Sequence, residues 1–416
     1  MNILFVHQNF PGQFQHLAVA LAAQPGHRIL ALHVNATPAL PGVQMVRYPI
    51  GSDTTPGVHR WLIDLETKVI RGEAAYLAAK QLKQNGFSPD VIVAHPGWGE
   101  SLFLKDLWPA ARLGIYCEFF YHATGADFGF DPEFSNAPLD DACRLRMKNA
   151  SDLLHFSQAE GGLSPTHWQR SVFPQPFRSR ITVIHDGIDT RILQPDPQAR
   201  LALKTGNGPL ALSGDDEIIT FVSRNLEPYR GYHIFMRSLA AILKARPKAR
   251  VLIVGNDGVS YGKKPAPASQ SGQFVDSWKA IFLNEVKAEL DMQRVHFLGF
   301  IPRPQFISLL QLSTVHVYLT YPFVLSWSLL EAMSVGCAIV ASHTAPLHEA
   351  IEHGKTGRLV DFFDVTALSD NVIDLCAQAQ ERQRLGQAAR QFAIENYDLH
   401  TRCLPGQMAW VRSLVA

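Results

Sequence analysis

Short runs of β-branched and aromatic residues alternate along this chain with longer segments in which apolar residues recur at helical spacing. This alternation is typical of parallel sheets covered by helices, so the pattern predicts an α/β protein. The runs form two successive series, which predict two Rossmann-like doubly wound domains. The predicted strands are 3–6, 29–32, 91–94, 116–120 and 181–184 in the first series, and 218–222, 251–254, 295–298, 315–319 and 338–341 in the second.

The two series are separated by a stretch rich in proline, glycine and aspartate, from Gln194 to Asp216. This composition is typical of a linker, so we predict an N-terminal domain over 1–189 and a C-terminal domain over 190–395. A last helix over 396–416 is expected to pack back toward the N-terminal domain. The segment 258–273, rich in glycine, serine, proline and lysine, predicts an inserted surface loop.

The amino-acid composition and the net charge limit the possible classes of protein and of ligand. The chain has 416 residues, 47% of them hydrophobic, which suffices for packed cores in two or three domains. Lys and Arg total 38 against 37 Asp and Glu, so the formal charge is +1 and nucleic acid is not the expected ligand.

The cysteines and the N-terminal residues indicate the cellular compartment of the protein. The five cysteines are scattered without metal-ligand spacing, which suits a reducing cytosol and argues against a disulfide framework or a zinc site. The first residues lack a basic segment, and no apolar run reaches 18 residues. We therefore expect a cytoplasmic protein, with the inner face of the membrane as a second possible location.

Two arginines, Arg224 and Arg230, occupy a turn between a predicted strand and a helix that starts at Tyr232. Such a turn can present two guanidinium groups and helix N-terminal amides to one dianion. Solvated loop arginines without a role are the alternative that the pattern leaves open.

A second helix, from Ser326 to the glycine at 336, follows an apolar strand. Glu331 lies inside it among leucine, alanine and methionine, where a carboxylate needs a partner, and a ribose diol could supply two hydroxyl donors. Ser326, Trp327 and Ser328 stand where first-turn amides can receive phosphate oxygens. An exposed helical glutamate with no role is the alternative.

Residues 218–363 resemble the donor-binding domain of retaining glycosyltransferases of family 4, which have the two-domain GT-B fold. The resemblance rests on several motifs in the order and spacing of that family. They are the Arg224/Arg230 turn, the glycine turn 254–258 that contains Gly255, the strand and turn 297–301, the helix around 330–333, and the segment 346–351 before Gly354 and Gly357.

The resemblance implies roles for these residues. Arg224 and Arg230 are expected to bind the donor diphosphate, with Arg230 where the family usually has lysine. Phe300 and Ile301 are expected to border the nucleotide base through backbone groups, and Glu331 should bind the ribose hydroxyls.

One position departs from the family pattern. Eight residues before Glu331 the family carries another glutamate near the transferred sugar, and this chain has Phe323. The change has two possible meanings. Either the donor sugar or its orientation differs from the common case, with the aromatic ring stacking on the sugar, or catalysis has been lost.

The N-terminal half carries weaker matches. Gly12 lies in the loop after the first strand. This loop resembles the family's first loop, in which a glycine lets the backbone approach the donor phosphate and the acceptor closely. His122 is expected at the end of the strand that begins at Tyr116, facing the transferred sugar. Residues 183–189 resemble the family's hinge segment.

Two further patterns in the sequence concern metal binding and membrane contact. No acidic pair in the sequence follows a strand in the D-x-D arrangement that positions a divalent metal on a nucleotide, so no metal or other cofactor is expected. The expected donor is a UDP- or GDP-linked sugar. Residues 166–180 mix aromatics with arginines, which indicates peripheral membrane contact or, alternatively, a partly packed loop.

The sequence thus predicts a retaining glycosyltransferase that moves a sugar from a nucleoside diphosphate to the hydroxyl of a glycan or lipid-linked acceptor, in polysaccharide or glycoconjugate synthesis. Two alternatives remain open. One is a nucleotide-sugar epimerase or hydrolase of the same fold. The other is a non-catalytic sugar-nucleotide-binding protein, which the phenylalanine at position 323 would suit.

Overall fold

The computed structural model describes residues 1–134, 138–206, 208–266, 268–270 and 273–416. The chain divides into two compact units. The first comprises Met1–Gly187 and Leu399–Ala416, and the second comprises Ile188–Asp398.

The first unit is built on one parallel sheet. Its strands are β1 (Asn2–Val6), β2 (Arg28–His33), β3 (Val43–Arg47), β4 (Val91–Ala94), β5 (Arg112–Tyr116), β6 (Gly161–Ser164) and β7 (Ile181–Val183). They lie in the order β3-β2-β1-β4-β5-β6-β7, and every neighbouring pair is parallel. The chain order reverses between β1 and β4, which is the switch point where open α/β sheets bind ligands.

Helices cover this sheet. They are α1 (Gln15–Ala22), α2 (Ile63–Gln84), α3 (Leu104–Leu107), α4 (Pro138–Lys148), α5 (Ala150–Gln158), α6 (His167–Ser171) and α7 (Gln175–Arg178). The central strand β4 is buried at every residue, as expected for a strand with both faces covered.

The predicted strand 116–120 is wrong, because β5 occupies Arg112–Tyr116 and the residues after Tyr116 leave the sheet. The sequence pattern was obscured by Gly114 in the middle of the strand. A Cβ at that position would lie 2.7 Å from the Trp410 ring and 2.6 Å from Leu414, so close packing of the chain's last helix requires the glycine.

The second unit has a six-stranded parallel sheet and two hairpins. Its strands are β8 (Arg200–Thr205), β9 (Gly208–Ser213), β10 (Ile218–Asn225), β11 (Arg250–Asn256), β12 (Ala268–Gln270), β13 (Gln273–Val275), β14 (Val295–Gly299), β15 (Val315–Tyr318), β16 (Ile339–Ser342) and β17 (Arg358–Val360). The parallel sheet has the order β14-β11-β10-β15-β16-β17, so its switch point lies between β10 and β15.

The helices of this unit are α8 (Tyr232–Ala245), α9 (Trp278–Val286), α10 (Arg303–Gln311), α11 (Trp327–Ser334), α12 (Val365–Ala377) and α13 (Ala379–Tyr397). The helix α8 has an apolar face, which buries Tyr232, Phe235 and Leu239 completely. Because β10 and β15 are parallel neighbours, their carboxyl ends meet at one edge of the sheet.

Part of the predicted linker is structured. β8 and β9 pair antiparallel, and their alternate leucines Leu201, Leu203, Leu210 and Leu212 are buried in the core beside β11. The alternation of leucines determines this hairpin, whereas the proline and glycine content suggested a linker. Within the predicted insertion, β12 and β13 form a second hairpin, and residues 267, 271 and 272 lie outside the described residues.

The last helix, α14 (Leu404–Ser413), belongs to the first unit. Trp410, Val411 and Leu414 are buried in the same apolar cluster as Phe5 and Leu17. In the part of the chain that the structure describes, no helix has both the length and the apolar character needed to cross a membrane. All five cysteines are free thiols.

Candidate functional site

The two arginines of the first turn have different environments. Arg224 is exposed near the carboxyl end of β10, whereas Arg230 is only 8% exposed. Arg230 Nη1 donates to Thr320 Oγ1 at 2.8 Å, and to the Tyr318 hydroxyl and the Val324 carbonyl at 3.2 Å each. The structure therefore presents Arg224 to solution, and uses Arg230 to tie the turn to the end of β15.

A loop after β11 closes over Arg230. The buried Glu227 carboxylate accepts hydrogen bonds from the amides of Ser260 and Tyr261, at 3.1 and 3.4 Å. Burial raises the pKa of Glu227, and these amides and the Arg230 charge oppose that rise. The Tyr261 ring lies 5.3 Å from the Arg230 guanidinium, which adds a cation–π contact.

Gly255 stands where two segments of backbone approach closely. A Cβ there would lie 2.7 Å from Leu226 Cδ2 and 3.0 Å from the Ser223 carbonyl oxygen. The glycine thus lets the end of β11 pack against the arginine turn, which accounts for its presence by sterics alone.

The start of α11 is capped from within the unit. The Ser326 hydroxyl accepts from the Ser328 amide, and the Ser326 amide donates to the Tyr318 hydroxyl at 3.1 Å. The sequence predicted that these amides would be available to phosphate, but both have internal acceptors in this structure. Trp327, between the two serines, is 42% exposed.

Glu331 has a protein partner that the sequence did not reveal. Its carboxylate Oε1 lies 2.6 Å from Arg303 Nη1, and the two side chains are 9% and 53% exposed. Burial raises the pKa of Glu331, and the Arg303 charge partly offsets this effect. Arg303 is the first residue of α10, and no sequence pattern links that helix start to a carboxylate on α11.

Phe323 is not at the surface. It is 3% exposed, and its ring packs at 4.8 Å from Tyr261 and 5.8 Å from Tyr229, both in edge-to-face geometry. The described contacts are those of an aromatic core, not of an open stacking face for a sugar. Of the two residues expected at the base, Phe300 is 80% exposed and Ile301 is 8% exposed.

In the first unit, Gly12 adopts the left-handed conformation with φ of +47°. A Cβ there would lie 2.5 Å from His7 Nε2, so only glycine fits beside this imidazole. The loop after β1 is therefore shaped around His7.

His122 does not end a strand. It lies beyond Tyr116, where β5 ends, and its Nε2 is 2.6 Å from the Val172 carbonyl oxygen. The predicted position of His122 at the strand end is therefore wrong, because the strand ends earlier. Glu118 is the charged residue that lies close to the end of β5.

A polar cluster occupies the switch point of the first sheet. His7 and His95 follow β1 and β4 directly, are 2% and 3% exposed, and their rings lie 5.2 Å apart. His95 Nε2 is 3.4 Å from Glu118 Oε2, an ion-pair distance that lacks the alignment of a hydrogen bond. Trp98 packs against both imidazoles, with ring centroids at 4.6 and 4.8 Å.

Backbone amides define which tautomer each imidazole adopts in its neutral form. Nδ1 of His7 accepts from the Asn9 amide at 2.9 Å, and Nδ1 of His95 accepts from the Gly97 amide at 3.1 Å. Each neutral ring therefore carries its proton on Nε2. Burial lowers the pKa of His7 to about 3, so that ring is uncharged at neutral pH.

Acidic groups surround this cluster. Glu100 is fully buried, and burial raises the pKa of its carboxyl to about 7. The Tyr116 hydroxyl donates to both oxygens of Asp186, at 2.9 and 3.0 Å. The sequence analysis included Asp186 only as part of the hinge segment 183–189 and did not single out Glu100 or the two histidines, although the histidines directly follow two of the predicted strands.

The segment 166–180, for which the sequence indicated membrane contact or a partly packed loop, is fixed by hydrogen bonds from its arginines. Arg170 donates to the Arg178 carbonyl, Arg178 to the Phe173 carbonyl, and Arg180 to the Ala159 and Phe156 carbonyls. These guanidinium groups are engaged in holding a packed loop.

Family models match most of the chain. The glycosyl transferase family 4 group model matches residues 25–193, and the glycosyl transferases group 1 model matches residues 208–392. A GDP-mannose-dependent alpha-(1-6)-phosphatidylinositol monomannoside mannosyltransferase from Mycolicibacterium smegmatis is 27% identical over 278 residues. The match covers 66% of this chain and 66% of that relative, just under two thirds of its length.

Solved structures share the fold over the whole chain. HepE from Anabaena in complex with UDP and glucose is similar with a TM-score of 0.64 at 18% identity, and covers 99% of each chain. Sucrose-phosphate synthase from Thermosynechococcus elongatus is similar with a TM-score of 0.69 at 16% identity, again over 99% of each chain. The chain has two parallel Rossmann-like sheets, and the two family models match successive parts of it. The chain therefore belongs to glycosyltransferase family 4 and has the GT-B fold.

Proposed function

We propose that the protein is a retaining glycosyltransferase, which moves a sugar from a nucleoside diphosphate to an acceptor hydroxyl in polysaccharide or glycoconjugate synthesis. One observation carries the proposal. The second unit places the exposed Arg224 at the end of β10, at the switch point, while α11 carries a carboxylate, Glu331, paired with Arg303. A cation for diphosphate and an oriented carboxylate for ribose are the two groups that a nucleoside diphosphate requires.

Leaving-group stabilisation is the main catalytic effect in this proposal. The departing diphosphate develops negative charge, which a preorganised guanidinium neutralises without reorganisation. Arg224 is the group that contacts the diphosphate, and the buried Arg230 holds the turn and adds its positive field. Since the sequence indicates no carboxylate as a glycosyl-accepting nucleophile, and since it resembles family 4, we propose front-face attack. The acceptor oxygen bonds to the anomeric carbon as the bond from that carbon to the donor phosphate breaks, and the leaving phosphate accepts the proton of the acceptor hydroxyl.

We propose a UDP- or GDP-linked donor and no metal or other cofactor. The mannosyltransferase relative is described as GDP-mannose-dependent, and the HepE structure contains UDP and glucose, so both nucleotides occur among similar proteins. Transfer should persist when a chelator removes divalent cations from the assay.

The proposal is tested by a thermal-shift screen of UDP and GDP sugars, followed by transfer assays with the donors that bind. Product formation with the anomeric configuration of the donor, read by NMR, supports a retaining transferase, whereas an inverted product contradicts it. Donor consumption without an acceptor would indicate the hydrolase or epimerase alternative. Donor binding without turnover, under every acceptor, would indicate a binding protein.

A further inference from the structure

We propose that a cavity at the amino-terminal edge of the second unit's parallel sheet binds a small phosphate monoester with a hydroxylated chain. All the residues that line this cavity belong to the second unit. The cavity lies at the opposite edge of the sheet from Arg224, so the inference goes beyond the proposed function and does not depend on it.

The cavity has a volume of about 510 Å³, which is within the range of pockets that hold small molecules. It is bounded on one side by the end of the β8–β9 hairpin, and on the other by the segments that lead into β10, β11 and β14. The hairpin contributes the apolar side chain of Leu210. The polar side chains are those of Asp216, Lys248, Arg250, Gln293 and His296.

His296, the second residue of β14, supplies a buried polar group to this cavity. It is 3% exposed, and neither Nδ1 nor Nε2 forms a hydrogen bond within the described residues. Burial lowers the pKa of this imidazole, and the Arg250 charge lowers it further, so the ring is neutral at pH 7. A neutral imidazole has one donor and one acceptor, and leaving both without a partner in a buried position is costly. A ligand that carries both oxygen acceptors and hydroxyl donors would meet this requirement.

Two cations of the lining are available to an anion. Arg250 is half-buried and Lys248 is exposed. Neither side chain forms an ion pair or a hydrogen bond with any residue that the structure describes. A guanidinium and an ammonium group at one cavity provide charge-assisted donors for a single phosphate.

The acids near the cavity have partners of their own. Asp291 pairs with Arg294 at 2.7 Å, which neutralises the third cation of the lining. Glu217 pairs with Arg246, which lies outside the lining. Asp216 lines the cavity, and its Oδ2 accepts a backbone amide of its own turn at 2.9 Å. With two unpaired cations and one carboxylate, the lining keeps an excess of positive charge.

The other polar groups indicate what is attached to the phosphate. The Asp216 carboxylate accepts hydrogen bonds from hydroxyl groups, and the Gln293 amide can donate and accept. Within the described residues, no phenylalanine, tyrosine or tryptophan lines the cavity to stack on a nucleotide base. The lining therefore suits the phosphate ester of a small polyol better than a nucleotide.

Strand geometry separates this cavity from the arginine turn. The strand β11 begins at Arg250 and ends at Asn256, and its 7 residues span about 20 Å at a rise of about 3.3 Å each. Because the strands are parallel, their amino ends lie at the edge of the cavity and their carboxyl ends at the edge of Arg224. A substitution in the cavity should therefore leave nucleotide binding unchanged.

Calorimetry with glucose 6-phosphate, ribose 5-phosphate and glycerol 3-phosphate tests the inference, with glucose, ribose and glycerol as matched neutral probes. Saturating UDP or GDP is present, so that the probes do not bind at the arginine turn. We expect at least one ester to bind saturably, and its neutral partner to bind about tenfold more weakly or not at all. Arg250→Gln should weaken binding of that ester about tenfold, because hydrogen bonds from a charged group are lost.

Arg191→Gln is the matched control. Arg191 is an exposed arginine of the same unit that does not line the cavity, so its loss should leave the ester affinity unchanged. His296→Leu removes the two buried nitrogens and should also weaken ester binding, with folding checked by the melting temperature. Arg250→Gln provides the test if His296→Leu does not fold, because Arg250 is only half-buried.

No saturable binding of any ester, equal binding of esters and neutral probes, or an unchanged ester affinity in Arg250→Gln would each overturn the inference. Ester binding that is lost in Arg224→Ala but kept in Arg250→Gln would assign the binding to the arginine turn, and would also overturn it. If neither UDP nor GDP binds the wild type, the proposed function is contradicted, whereas the ester result stands independently.

Discussion

Replacing Arg303 by alanine should destabilise the protein in a pH-dependent way, because it leaves the Glu331 carboxylate without its cation. The ion pair has an N–O distance of 2.6 Å, and Glu331 is 9% exposed at its side chain. A hydrogen bond to a charged group contributes about 1.5–3 kcal/mol. Arg303 is 53% exposed and therefore screened by water, so we take the lower value, about 1.5 kcal/mol. For a domain of this size the melting temperature should fall by roughly 3–6 °C.

The sign of the pH dependence follows from the direction of the pKa shift. Burial holds the pKa of Glu331 above its ordinary value in the folded protein, so ionisation there opposes folding above that pKa. Loss of Arg303 raises this pKa further and increases the cost. The deficit should be largest at about pH 8, smaller at about pH 5, and absent once the carboxyl is protonated in both the folded and unfolded chain.

Scanning calorimetry of four proteins tests the argument: wild type, Arg303→Ala, Glu331→Gln and the double variant. In the Glu331→Gln background no buried charge needs compensation, so Arg303→Ala should then change the melting temperature little. An equal loss at both pH values, or an equal loss with and without the carboxylate, would refute the role assigned to the pair.

Three further predictions distinguish a residue that binds the nucleotide from residues that stabilise the second unit at the same edge of its sheet. Arg224→Ala should weaken UDP or GDP binding about tenfold in calorimetry with an unchanged melting temperature, because the side chain is exposed. Arg230→Ala should instead lower the melting temperature, because three buried acceptors lose their donor; unchanged stability would contradict that reasoning. Because Phe323 is buried, Phe323→Ala should destabilise the second unit by about 3–5 kcal/mol in denaturant unfolding. Phe323→Glu should be no more stable than Phe323→Ala. A gain of transfer activity in Phe323→Glu would instead indicate that position 323 is an abandoned catalytic position.

Hydrophobic patterning was sufficient to identify the two parallel sheets, because a central strand such as β4 is apolar on both faces and short. It failed where a glycine interrupts the pattern, as Gly114 does in β5, since the reason for that glycine is a helix nearly 300 residues later in the chain. It failed again at the β8–β9 hairpin, where alternating leucines were outweighed by the prolines and glycines around them.

The sequence could place the candidate residues on elements of the fold, but it could not describe their contacts. Strand ends predict which residues reach the sheet edge, and Arg224 is exposed near the end of β10. Whether such a side chain contacts solution or another side chain depends on packing between elements distant in sequence. Arg230 meets the end of β15, and Glu331 meets the first residue of α10, and neither contact has a local signal.

The packing of Tyr261 has an evolutionary consequence. This one ring contacts the Arg230 guanidinium and the edge of Phe323, and its backbone amide donates to Glu227. A relative with glutamate at position 323 would place a second carboxylate beside that ring, where it would need a donor such as the tyrosine hydroxyl or the Arg230 guanidinium. Relatives with glutamate at position 323 should therefore keep a hydrogen-bond donor at position 230 or 261, whereas relatives with an aromatic residue at 323 are free of that requirement.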